Sequence, residues 1–215
     1  MNNPLVSIII PCYQAARTLS KTIEDIFAQT YRPLEIIAVN DGSRDATSAE
    51  LQTYTGRITI INQENKGAAA ARNTGFKKSR GSFVLFCDAD VRLQPDMVSA
   101  MVQTLQEHPK AAYAYCNFRF GIHTFDLFPF DAARLRKENY ISTMSMIRRE
   151  KFIGFDERLS RLQDWNLWLR MLDRGETGVW IPKRLFSAPL RPGGISAYRI
   201  RDYLTILKRR LRGHR

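Results

Sequence analysis

The chain has 215 residues, of which 44% are hydrophobic and 25% charged, and it carries a formal net charge of +12. This apolar content excludes a disordered chain and allows a sizeable buried core, and the length fits one large α/β domain or one domain with a small appendage. Three cysteines (Cys12, Cys87 and Cys116), odd in number and far apart in apolar runs, exclude a disulfide framework and a Cys-x-x-Cys metal clip and point to a reducing compartment.

The opening MNNPLVSIII lacks the basic start of a signal peptide, and no apolar run approaches the ~18 residues of a membrane span, so a cytoplasmic location is expected. Val6 to Ile10 is a continuous apolar run ending at Pro11, the pattern of a strand buried on both faces. Leu19, Ile23, Ile26 and Phe27 then recur at helical spacing, and a second run, Leu34 to Val39, ends in the turn-like Asn40-Asp41-Gly42-Ser43. A further helical stretch precedes Ile58 to Ile61, after which Ala68 to Ala71 lie in a third helix. A fourth apolar run, Phe83 to Phe86, stops just before Asp88. This alternation predicts βαβ units and a parallel sheet, whose ligands bind at the carboxyl ends of the strands.

Pro95 to Glu107 reads as another helix. Residues 111–150 scatter aromatics without one period and are expected to form mixed strands with a mobile loop around 121–137. From Asp164 to Leu172 the apolar residues Trp165, Trp168, Leu169 and Leu172 define a helical face.

The unusual polar residues cluster where the strands end. Asp88-Ala89-Asp90 places two carboxylates at i and i+2 directly after a buried strand, a pattern that serves as a polar turn or as ligands of Mg²⁺ or Mn²⁺ shared with phosphates and waters. Asp41 closes the second strand and is suited to accept a hydrogen bond from a nucleotide base, whereas Ser43 and Asp45 read as turn and helix-capping residues. Arg72, set among alanines, is a candidate base or phosphate contact.

Together, PCYQ at 11–14, NDGSRDAT at 40–47, NKGAAAARNTG at 65–75 and CDAD at 87–90 resemble the nucleotide-binding half of family 2 glycosyltransferases. The stretch 141–171 is similar to that family's acceptor-side region, and the resemblance spans about residues 5–196. It implies an α/β chain with the GT-A fold, a Rossmann-like, mostly parallel sheet flanked by helices. Residues 1–198 would form one catalytic domain, with 1–97 binding the nucleotide sugar and 98–198 the acceptor. It further implies a nucleotide-diphosphate sugar donor, with UDP favoured, a Mn²⁺ or Mg²⁺ cofactor, and inversion at the anomeric carbon. Carried over by position, Pro11, Tyr13, Asp41 and Arg72 would contact the base side, and Asp88 the ribose or the metal. Asp90 would be the main metal ligand and Asp164 the general base, whose alternative reading is the N-cap of its own helix.

Two positions depart from the family pattern. Gln163 stands where many members carry Glu, and 190–196 holds no His, leaving Arg191 as a diphosphate contact. His108, His123 and His214 share no metal-ligand spacing.

All the excess charge lies in the second half: residues 1–107 hold 11 Lys/Arg and 11 Asp/Glu, whereas 108–215 hold 22 and 10. Residues 199–215 follow the spacing of a basic amphipathic helix. Such a helix either packs on its own domain or lies on an anionic membrane, at about 1 kcal/mol per cation. The expectation is therefore an inverting glycosyltransferase acting on a glycan or lipid-linked acceptor in bacterial surface polysaccharide synthesis, cytoplasmic or peripheral on the inner membrane face. The alternatives are a catalytically inert nucleotide-sugar-binding protein and a basic nucleic-acid-binding protein. The neutral nucleotide half speaks against nucleic acid as a partner.

Overall fold

In the computed structural model, residues 3–189 are described; Arg191 and the helix expected over 199–215 lie outside them. The first half runs β1 (Val6–Cys12), α1 (Leu19–Phe27), β2 (Leu34–Asp41), α2 (Thr47–Gln52), β3 (Thr59–Gln63), α3 (Ala68–Lys78) and β4 (Phe83–Phe86). The second half adds β5 (Arg92–Leu93), α4 (Met97–Glu107), β6 (Tyr113–Phe120), β7 (His123–Phe125), α5 (Ala132–Leu135), β8 (Met146–Arg148), α6 (Gln163–Leu172) and β9 (Gly178–Ala188).

The unbroken apolar runs of β1, β2 and β4 bury both of their faces. Ile8 and Ile10 enter one core with α1, α2 and α4, while Ile9 enters the other with α3, α5 and α6. Phe83 and Leu85 alternate with Val84 and Phe86 in the same way. Side chains alternate across a strand, so a sheet covered on both faces demands hydrophobicity at every position. The sheet order is β3-β2-β1-β4-β8-β6-β9-β5, with β7 paired to β6. Its first four strands are parallel, while β8 runs antiparallel to both β4 and β6. It follows that β6 points the same way as β4, and the two halves share one carboxyl edge.

The helix α3 seats closely on β1 and β2 because its contact face is made of Ala69, Ala71 and Gly75. A Cβ at Gly75 would lie 2.4 Å from Ile9 Cγ2 and 3.3 Å from Val39 Cγ2. Gly75→Ala gains about 1 kcal/mol of helix propensity but incurs the overpacking cost of a full core, up to ~3 kcal/mol. A net loss near 2 kcal/mol is expected in urea unfolding, and an unchanged midpoint would show that α3 can lift without cost.

The second half corrects the expectation in detail. A β6–β7 hairpin and the short α5 occupy part of the stretch expected to be a mobile loop. The strand β9 has no clean alternation, since Pro182-Lys183-Arg184 coincides with the register shift opposite Cys116 and Asn117. All three cysteines are free and buried, and desolvation pushes the Cys12 and Cys116 thiols up to about 12, which leaves no nucleophilic thiolate at neutral pH. Among the described residues, no helix is long and apolar enough to cross a membrane.

Candidate active site

The carboxyl ends of β1, β2 and β4 meet on one edge, and each ends in residues too polar to be there for packing. Pro11 lies in β1 opposite Val39, and Tyr13 follows with 52% of its surface exposed. The turn that presents Tyr13 is held at Gln14, whose φ of 50° lies in the left-handed region uncommon for a residue with a side chain. Hydrogen bonds keep it there: Gln14 N–H donates to Ser43 Oγ (3.1 Å), and Gln14 Oε1 accepts from the backbone of Arg44 (2.9 Å) and Asp45 (3.1 Å).

Asp41 is 2% exposed at the end of β2. Its Oδ1 accepts from Gln63 Nε2 (2.7 Å) and Lys66 N–H (2.9 Å), and its Oδ2 accepts from Gly67 N–H (2.8 Å). These last two amides belong to the N-cap of α3 and to the residue before it, so Asp41 pins the entry to that helix from a neighbouring strand. Three of its roughly four acceptor positions are filled, which leaves one for the edge of a base.

Asp88 and Asp90 follow β4 and are partly exposed. They are hard oxygen donors on one turn and, among the described residues, no cluster of three His, Cys, Asp or Glu side chains surrounds them. Such a donor pair fits Mg²⁺ or Mn²⁺, ions that retain waters and phosphate oxygens as further ligands.

Arg72 joins this edge to the acceptor side. Its Nη2 donates to Asp88 Oδ1 (2.7 Å) and its Nη1 to Gln163 Oε1 (2.9 Å), with the side chain only 9% exposed. The next residue, Asn73, binds the backbone of Phe155 through both of its amide atoms (3.0 and 2.9 Å). One turn of α3 thus fastens the two halves of the chain together.

Asp164 lies in the first turn of α6, and the N-cap position belongs to Leu162, which contributes no side-chain cap. The carboxylate accepts from Trp165 N–H (2.8 Å) and lies within hydrogen-bonding reach of Asn139. Burial raises its pKa from the ordinary aspartate value, while Asn139, Trp165 N–H and the Arg72 guanidinium partly oppose the shift. Leu162 has φ 55° and ψ 31°, so a second left-handed residue immediately precedes Gln163 and Asp164. Gln14 and Leu162 are the two non-glycine residues of positive φ among those described, and both flank this site. Two indoles secure the helix from behind, Trp165 Nε1 donating to Leu135 O (2.7 Å) and Trp168 Nε1 to Ile141 O (2.8 Å).

The structure therefore puts Pro11, Tyr13, Asp41, Arg72, Asp88 and Asp90 on one edge and links them to Asp164 through Gln163. Arg191 falls outside the described residues. Sequence reasoning gave no role to Gln14, Asn73 or Asn139; the first two stand inside the PCYQ and NKGAAAARNTG motifs, whereas Asn139 had no signal.

The model of the family described as glycosyl transferase family 2 matches residues 7–167. An uncharacterized glycosyltransferase of Rickettsia typhi is 29% identical over 188 residues, covering 79% of this chain and 59% of its own. The chain thus spans less than two thirds of that relative's length. Among solved structures, S. aureus TarS 1–349 in complex with UDP-GlcNAc gives a TM-score of 0.79 at 18% identity, covering 94% of this chain and 64% of that one. The mannosyltransferase PcManGT of Pyrobaculum calidifontis, in complex with GDP-Man and Mn²⁺, gives 0.77 at 19% identity, covering 98% and 65%. These likenesses show the GT-A fold.

Proposed function

The chain belongs to glycosyl transferase family 2, and from that premise we propose that it is an inverting, metal-dependent glycosyltransferase, moving a sugar from a nucleotide diphosphate to a hydroxyl of a glycan or lipid-linked acceptor. UDP is the favoured nucleotide, surface polysaccharide synthesis at the inner membrane face the favoured setting, and 1–97 and 98–198 the donor and acceptor halves. The observation that carries this reading is the Arg72 bridge, which sets a diphosphate-side carboxylate and the start of the Asp164 helix on one guanidinium.

Asp164 would accept the proton of the attacking hydroxyl, and its raised pKa makes it a stronger base than a solvated carboxylate. Tyr13 and Pro11 would lie against the nucleotide base, with Asp41 meeting its edge. Asp41 already occupies the Lys66 and Gly67 amides that lead into α3. Asp88 and Asp90 would seat the diphosphate through a divalent cation, which when bound would neutralise the charge gathering on the leaving group. Retention of Asp88, Asp90 and Asp164 together favours an enzyme over an inert binder.

A thermal-shift screen of UDP, GDP, CMP and dTDP with and without Mn²⁺ tests the donor site. A nucleotide at 100 times its Kd should stabilise by about 2.7 kcal/mol, roughly 5–10 °C for a chain of this size. The expected result is a UDP shift that requires Mn²⁺; no shift with any nucleotide would overturn the reading.

A further inference from the structure

Ser43 and Asp45 read from sequence as turn and helix-capping residues, and the structure gives them a second use. The N-cap of α2 is Ala46, which offers no side-chain cap. Asp45 divides its carboxylate between two elements. Its Oδ1 accepts from the N–H (3.1 Å) and the hydroxyl of Thr47 at the start of α2, and its Oδ2 accepts from Ala16 N–H (3.2 Å). Led by the Thr47 hydroxyl, these bonds hold the Asp45 pKa below the ordinary aspartate value, so the acceptor stays charged at neutral pH. The Thr47 oxygen accepts in turn from Ala15 N–H (2.8 Å). With the contacts of Gln14 to Ser43, Arg44 and Asp45, five hydrogen bonds clasp residues 14–16 to residues 43–47.

The clasp joins the two loops that leave β1 and β2. Cys12 pairs with Asn40 as the last rung between those strands, so the next residues along them are Tyr13 and Asp41. Tyr13 is half exposed and has little packing to hold its ring, so the backbone beside it must set where the ring stands. Bulk stability does not explain the arrangement. Gln14 and Asp45 are both exposed, and hydrogen bonds there exchange with water at little net gain. Nor does the backbone need a glutamine: glycine adopts a positive φ freely, whereas Gln14 bears a steric cost at φ 50°. What glycine lacks is the amide oxygen that reaches the N–H groups of both Arg44 and Asp45.

We propose that Gln14 and Asp45 are positioning residues for the nucleotide base: they touch no ligand, and they set donor affinity by holding the turn that aims Tyr13. The inference rests on the reading of Tyr13 as a base contact and deepens it. A loose Tyr13 would have to be ordered by the nucleotide, and the entropy of that ordering would be subtracted from binding. The clasp orders it beforehand. Strain at Gln14, maintained by bonds from a second loop, is the expected mark of such pre-organisation.

The test titrates the full chain calorimetrically with UDP and, separately, with pyrophosphate, each with Mn²⁺. Pyrophosphate has the two phosphates and no base. Gln14→Met keeps the side-chain length and removes the acceptor; Asp45→Asn removes one of two acceptor oxygens. Each should weaken UDP about tenfold, the order of one base stack, and leave pyrophosphate unchanged. Gln14→Gly relieves the backbone, so it should keep the wild-type Tm and still lose UDP to the same extent. Because Gln14 acts through Tyr13, Gln14→Met should cost nothing further in a Tyr13→Ala chain. Wild-type UDP affinity in Gln14→Met, an equal loss for pyrophosphate, or losses that multiply in the double variant would overturn the proposal. Failure of the wild type to bind UDP would instead bring down the donor site, and this inference with it.

Discussion

Asp164→Asn is expected to lower sugar transfer by at least a hundredfold and to leave nucleotide–Mn²⁺ affinity unchanged. Asparagine keeps the volume and can still accept from Trp165 N–H, so α6 and its two indole anchors stay in place. What it cannot do is take a proton, and loss of a positioned base lowers turnover by about 10²–10⁴. The stability change has the opposite sign. Burial holds the folded-state pKa of Asp164 above its unfolded value, so ionising it costs stability as pH rises from the unfolded pKa through the raised folded one. The neutral amide of the variant escapes that cost. The variant is therefore expected to melt no lower than wild type at pH 7, with the gap closing as pH falls through that window. Full activity, or a collapse in Tm, would show that the carboxylate holds the fold instead of serving the reaction.

The edge where β1, β2 and β4 end, proposed above as the donor side, was legible because its signals are local. A run buried on both faces followed by Pro11-Cys12-Tyr13, by Asp41, or by Asp88-Ala89-Asp90 announces a strand end facing a ligand, and burial of Ile8, Ile9 and Ile10 on alternating faces bears the strands out. The links between halves were not legible. Arg72 and Gln163 are 91 residues apart, and nothing in either neighbourhood announces their hydrogen bond. Asn139 lies in a stretch without hydrophobic period, and the carbonyls of Leu135 and Ile141 that flank it are held by Trp165 and Trp168 from a distant helix. Asp41 shows the limit from the other side. The residue type pointed to a base contact, but its engagement by Gln63, Lys66 and Gly67 emerges only when the loop folds over the end of β2. Leu162 gives no warning either, since a leucine with positive φ contradicts local preference and persists because flanking contacts overrule it.

Arg72→Met is the change expected to damage both halves at once. Methionine preserves the buried aliphatic stem but removes the bonds to Asp88 and Gln163. Deleting one partner of a fully buried pair costs about 3–5 kcal/mol; here Asp88 is 38% exposed and recovers water, so a loss near 2 kcal/mol is the better expectation. Donor affinity should fall because Asp88 loses the group that aims it. The base should weaken in a different and separable way. Arg72 lowers the pKa of Asp164, so its removal moves that pKa further up and carries the acid limb of the kcat–pH profile to higher pH. Arg72→Lys should restore part of the pH profile, since charge suffices there, but not the Tm or the nucleotide shift, because a single ammonium cannot span Asp88 and Gln163 in the fixed geometry of the guanidinium fork. An acid limb unmoved in Arg72→Met would mean that the arginine serves the donor edge alone and that the two halves of the site are joined mechanically without being coupled electrostatically.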